Sequence, residues 1–227
     1  MTRFLYLLLL LPTLAQAHDL WIEKEANAYF LYQGHRHSAH EGAEVVPYEA
    51  AAVKSVLCSE GAGKSRALSP GKSYPVKFAG ECAVLLASFS SGYWTKTPWE
   101  TKNVPKTGIS GVIKSWYSEE SVKYVVRWTD AMPLGVGLEI TPTENPLTLT
   151  AGDKLTVLVT DNGKPVAGVP VAYSGDTRGA SGADGKVSIR LRHPGLQLIE
   201  TSMETPLTDG KADQSIRTAS LQFEVNK

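Results

Sequence analysis

From Pro142 onward the chain repeats one unit, a short run of alternating apolar and polar residues followed by a turn. Lys154 to Thr160 alternates, and Asp161-Asn162-Gly163-Lys164 comes next. Asn-Gly is the dipeptide of a tight hairpin turn, because both central positions take positive φ. Further runs occur at Pro165 to Tyr173, Val187 to Leu191, Gly195 to Met203 and Arg217 to Val225, with turns such as Ser181 to Lys186 between them. A period of two fits a strand and not a helix. About seven short strands at this spacing predict a β-sandwich.

Upstream the texture is less regular. Ala52 to Cys58, Ser73 to Phe78 and Cys82 to Phe89 read as strands, and Glu41 to Tyr48 as a loop. Ser115 to Trp128 is the one stretch that predicts a helix. Val122, Val125, Val126 and Thr129 fall at i, i+3, i+4 and i+7, Ser118 is placed to cap it, and Glu119 and Glu120 suit a first turn. The expected fold class is mainly β, with an N-terminal β-rich domain carrying one helix (residues 18–137) and a C-terminal Ig-like β-sandwich (138–227).

The first 17 residues read as a secretory signal peptide. Arg3 is the positive n-region, Phe4 to Leu14 the apolar h-region, and Ala15-Gln16-Ala17 a small-x-small cleavage site. The remaining 210 residues (227 minus 17) carry 22 basic and 23 acidic side chains once Arg3 is removed. Such a balance gives no electrostatic argument for a nucleic acid or for an anionic membrane. No other apolar run approaches the roughly 20 residues that span a bilayer. The expectation is a soluble periplasmic protein. In an oxidising compartment Cys58 and Cys82 predict a disulfide, and closing a loop of about 25 residues contributes about 3.5 kcal/mol in the chain-entropy treatment. Thiolate metal ligation is the rival reading, disfavoured because neither cysteine sits in a C-x-x-C spacing.

Cleavage after Ala17 makes His18 the first residue, and four of the five histidines then crowd near the new terminus: His18, His35, His37 and His40. An N-terminal histidine presents an α-amine and an imidazole to one metal. Their ordinary pKa values of about 7.7–8.0 and 6.5 let a metal displace the protons near neutral pH. Nitrogen donors of this kind suit Cu(II), Ni(II) and, less selectively, Zn(II). DLWIE, KEAN and AYFLYQG predict a hairpin with Lys24 to Asn27 as its loop. Glu23 then pairs with Ala28, and His18 falls opposite Gln33, with His35 and His37 on the same face. Candidate ligands are His18, His35, His37 and His40, with Asp19 or Glu41 adding an oxygen. A solvated, histidine-rich surface loop is the plain alternative.

Other motifs carry less. Gly61-Ala62-Gly63-Lys64-Ser65 lacks the spacer of a phosphate loop. Asp176, Asp184 and Asp209 do not form a calcium loop and are explained by turn chemistry. Residues 91–103, SGYWTKTPWETKN, are either a sugar platform or a long hairpin whose rings cap the core, the latter favoured. Pro98 and Pro105 place it in a loop or edge strand. Neither G-x-S-x-G nor H-E-x-x-H is present, and no catalytic set stands out, so a binding protein is expected before an enzyme.

Two resemblances follow. GKPVAGVPV and ADGKV in the C-terminal half resemble the carboxypeptidase-regulatory or prealbumin-like sandwich, which implies architecture alone. A-H-D-L-W-I-E, L-Y-Q-G-H, Tyr93-Trp94-Thr95-Lys96-Thr97, Lys114-Ser115-Trp116 and Pro133-Leu134-Gly135 with L-E-I-T-P resemble a periplasmic family of unknown function. Its members are commonly described as nickel-uptake transporter components (NikM-like). That likeness implies a protein handling Ni or Co beside a membrane metal-uptake transporter. His18 and His35 fall on the resembling segments, and His37 and His40 are additional. Two other functions compete: an exported structural or adhesive β-protein, and a copper histidine-brace oxidase acting on glycans.

Overall fold

The fold, a computed structural model, is described for residues 19–36, 43–61, 64–130 and 133–225. Its strands are β1 (Asp19–Glu25), β2 (Ala28–Arg36), β3 (Ala43–Val45), β4 (Val53–Gly61), β5 (Lys64–Ala67), β6 (Val76–Ala79), β7 (Val84–Lys96), β8 (Thr101–Lys102) and β9 (Lys114–Val125). There follow β10 (Leu138–Pro142), β11 (Lys154–Asp161), β12 (Lys164–Pro165), β13 (Pro170–Tyr173), β14 (Asp176–Ala180), β15 (Lys186–Arg190), β16 (Gly195–Pro206) and β17 (Gln214–Val225). The chain is nearly all β, as its texture predicts, with short 3-10 turns at Ala50–Ala52 and Pro146–Thr148.

Three sheets hold these strands. One is β1-β2-β3 with β6 also on β2, and another is β10-β11-β12 with β15 on β11. The third runs β14-β13-β16-β17-β9-β7-β4-β5, with β8 on β7, so strands from both halves of the chain share it. At its middle β17 pairs with β9 in parallel, Gln214 opposite Trp116 and Gln222 opposite Tyr124.

The expected helix over Ser115 to Trp128 is instead β9. Its neighbours explain the misleading pattern. Val122 and Tyr124 enter a core with Leu20, Ile22, Leu31, Leu85 and Phe89. Val125 enters a second core with Ile140, Val157, Tyr173, Leu221 and Phe223. The two smaller sheets therefore cover opposite faces of the large one where β9 runs. A strand apolar on both faces loses its alternation, and 122, 125 and 126 then imitate one helical stripe. Its Val, Tyr and Trp content suits a strand better than a helix.

The second face of β9 is also polar. Ser121 Oγ donates to the Leu138 carbonyl at 2.8 Å. Lys123 Nζ lies 2.7 Å from Glu139 Oε2, with both side chains almost wholly buried. Lys123 also donates to Thr141 Oγ1 at 2.5 Å. Glu139 accepts the backbone N–H groups of Leu134 and Val136 at 2.9 and 2.8 Å. Each member of the pair thus has polar partners besides the other.

Local turn chemistry explains the hairpins. Asn162 and Gly163 take φ of 49° and 77°, and Asp161 pairs with Lys164 as the Asn-Gly signal predicts. The β1–β2 turn departs from expectation. It has two residues, Ala26 and Asn27, with Glu25 rather than Glu23 opposite Ala28. Ala26 accepts a φ of 49° to make it. The register moves by two positions, so no side chain changes face. The expected loop at Glu41 to Tyr48 contains β3 at Ala43–Val45. Cys58 and Cys82 form the predicted disulfide, with S–S 1.99 Å and Cα–Cα 5.4 Å.

Candidate functional site

The polar end of the first sandwich begins at Gln33. Leu20 and Leu31, in the core, are followed along the same inner face by Gln33, 5 % exposed. Its Nε2 donates to both carboxylate oxygens of Glu120 at 3.2 Å. Glu120 stands on the Val122 face of β9, between Phe89 on β7 and Thr218 on β17. It is 8 % exposed. Burial pushes its carboxyl up to about 7, hydrogen bonds from Gln33 and Ser118 oppose the rise, and the Asp19 charge adds to it.

The outer edge of β1 reaches the large sheet here. Ile22 N–H donates to Gln222 Oε1 at 2.8 Å, and Gln222 Nε2 donates to the Ile22 carbonyl at 2.6 Å. That amide closes an otherwise open strand edge. Three residues earlier, Asp19 meets Glu200 of β16. Burial chiefly, then the Asp19 charge and a hydrogen bond with Asp19, hold the Glu200 carboxyl well above its usual range. Asp19 Oδ2 also accepts the Arg36 N–H at 3.3 Å.

His35 lies two residues beyond Gln33 and is half-buried. Strand alternation puts it on the Gln33 side of β2. Across from it on β3 is Glu44, which is exposed. Gly34 makes this close pairing possible: a Cβ there would stand 1.9 Å from the Glu44 carbonyl oxygen. On the opposite face Arg36 pairs with Glu23 at 2.8 Å and lies over the Trp21 ring, 5.6 Å from its centroid.

The structure thus brings Asp19 and His35 to one end of the sandwich. His18, His37, His40 and Glu41 lie outside the described residues, as do the leader residues. Among the described residues, no three His, Cys, Asp or Glu side chains are grouped to hold a metal. The donors present are imidazole and carboxylate; both cysteines are committed to the disulfide. Sequence reasoning missed Glu44, Glu120 and Glu200. Glu44 carried a local signal in Gly34, the residue that admits β3, whereas Glu120 and Glu200 are joined to the hairpin only by the fold.

The aromatic stretch is split between two roles. Trp94 and Trp116 stack across β7 and β9 with centroids 6.3 Å apart, and Tyr93 packs on Tyr117 at 4.8 Å. Trp99 caps nothing: it is 81 % exposed. No helix among the described residues is long and apolar enough to cross a membrane.

A family model described as a domain of unknown function, DUF4198, matches residues 15–205. The chain belongs to the DUF4198 family. That match takes in Asp19, His35, Glu120 and Glu200 and ends within β16, short of β17. No curated protein matches this DUF4198 chain. A similar solved structure is that of Dscam1 isoform 9.44, N-terminal four Ig domains, at 12% identity and a TM-score of 0.22. The similarity covers 83% of this chain and 40% of that one, so the chain spans less than half of its length.

Proposed function

We propose that the protein is an exported, periplasmic binder of a divalent transition metal, Ni(II), Co(II) or Cu(II), that passes its cargo to a membrane metal-uptake transporter. The observation that carries this is the β1–β2 register. Paired positions sum to 53, as in Asp19 opposite Gly34. Were that ladder to run one step further, position 18 would fall opposite His35 rather than at the two-residue offset the sequence suggested. Directly opposed side chains stand about 5 Å apart. After cleavage at Ala17, amine, imidazole and the His35 imidazole would then meet one ion, with Asp19 or Glu44 supplying oxygen. The absence of free thiols among the described residues suits Ni(II), Co(II) or Cu(II) better than Cu(I). The NikM-like resemblance points the same way.

Removing the His35 imidazole tests the site. Calorimetric titration of Ni(II), Co(II) and Cu(II) into the processed protein and its His35→Ala variant should show affinity lower in the variant by about a hundredfold or more. Loss of an outer partner alone costs about 10–100-fold. Equal affinities would reject the site and favour a structural or adhesive β-protein. A copper oxidase is the second reading, favoured by Trp94 and Trp116, which flank the Glu120 face of β9. It requires ascorbate-driven peroxide production by the copper form, and a redox-silent copper complex excludes it.

A further inference from the structure

Beyond the metal reading, one feature stands largely exposed on the fold. The hairpin arm formed by β7, β8 and the start of β9 ends in a turn at Thr97 to Glu100, closed by Thr97 N–H donating to the Glu100 carbonyl at 2.8 Å. Trp99 sits on that turn and is 81 % exposed. Its ring lies against Gly111, where a Cβ would come within 3.4 Å of it. Ile113 N–H donates to the Lys96 carbonyl at 2.8 Å, which brings a 62 % exposed Ile beside the same tip. On the other side Thr95 Oγ1 donates to the Val104 carbonyl at 2.8 Å, and Val104 is 37 % exposed. Three of the five exposed large hydrophobic residues among those described are therefore gathered at one end.

Lysines outnumber carboxylates on the arm itself. Residues 94–114 hold Lys96, Lys102, Lys106 and Lys114 against Glu100 alone, in a chain with 23 basic and 23 acidic residues. Lys106 pairs back to Asp213 in the β16–β17 loop, and Lys114 to Glu204 on β16. Lys102 pairs with Glu100 at 2.7 Å, and Lys96 is exposed beside Trp99. With Glu204, Asp209, Lys211 and Asp213 of the facing segment included, five lysines stand against four carboxylates, and the positive charge left over is that of the exposed Lys96.

Area and shape decide what covers the tip. A large aromatic side chain buries about 150–250 Å². Three apolar side chains therefore fall well below the roughly 800 Å² per partner of a stable protein interface. A bilayer asks for no complementary surface. It accepts a convex wedge with Trp at the headgroup level and lysines reaching anionic phosphates. We propose that the Trp99–Ile113–Val104 tip seats the protein on an anionic lipid bilayer.

The test uses the full mature protein with phosphatidylcholine vesicles, with and without phosphatidylglycerol, separated by sedimentation. Wild type should partition onto the anionic vesicles several-fold better than onto phosphatidylcholine alone. The Trp99→Ser/Ile113→Ser double variant, checked for an unchanged melting temperature, should partition at least tenfold less. No partitioning by wild type, or equal partitioning by both proteins, would overturn the proposal. A concentration-dependent dimer that the double variant loses would also overturn it, assigning the tip to a second copy. Metal-free protein serves throughout, so failure here leaves the metal site standing.

Discussion

Replacing Lys123 with methionine should destabilise the protein by about 3–5 kcal/mol, the cost of leaving one member of a buried ion pair alone. Glu139 is 1 % exposed and would keep only the Leu134 and Val136 N–H groups. Its carboxylate would then face the packed second core with no countercharge. At about 2–4 °C per kcal/mol for a protein of this size, the melting temperature should fall by roughly 10 °C. Adding Glu139→Gln should restore at least half of the loss, since an amide oxygen still accepts from both N–H groups. A Lys123→Met protein within 1 kcal/mol of wild type would contradict this account, and urea denaturation of the three proteins decides it.

Stability should also fall as pH rises from about 4.5 to about 7, because of Glu120. Its folded-state carboxyl is raised from 4.5 to about 7, chiefly by burial. Below 4.5 the group is protonated in both states and carries no penalty. Between the two values the folded protein binds more protons than the unfolded chain, so each pH unit lowers stability, and above about 7 the loss is complete. At 1.36 kcal/mol per unit the total is about 3 kcal/mol. Glu200, raised in the same direction, steepens the slope. Glu120→Gln keeps an acceptor for Gln33 and removes the charge. It should flatten Glu120's share of the profile and stabilise the protein at pH 8 by a similar amount. The measurement is the urea midpoint against pH in the presence of a chelator. An unchanged slope in the variant would contradict the assignment to Glu120.

The features legible in the sequence are those that local chemistry decides. Asn162-Gly163 marks its hairpin because two adjacent residues must take positive φ, and Cys58 with Cys82 marks a disulfide because no other cysteine is present. The β9 strand was illegible because two sheets bury it, which erases the alternation that identifies a half-exposed strand. Lys123 was hidden with it: on a helix it would be a solvated side chain, whereas on β9 its face is sealed by Glu139 and Thr141. The β1–β2 register was missed because Ala26 is not an expected residue at positive φ. At the candidate site, Asp19 and His35 were visible through their nearness to the processed terminus. Glu120 lies 87 positions from Gln33, and nothing in a single sequence pairs them. Glu200 joins Asp19 only because Gln222 fastens β1 across β17.

The central claim is a metal site whose first ligand is the processed terminus. Titration of Ni(II), Co(II), Cu(II) and Zn(II) into protein that begins at His18 by mass, beside protein with one additional residue before His18, tests it directly. A metal site built on the His18 amine predicts that the additional residue weakens Co(II) and Zn(II) binding by about a hundredfold or more, since it replaces a basic amine with an amide whose proton these two ions do not displace. Equal affinity in the two forms would contradict it.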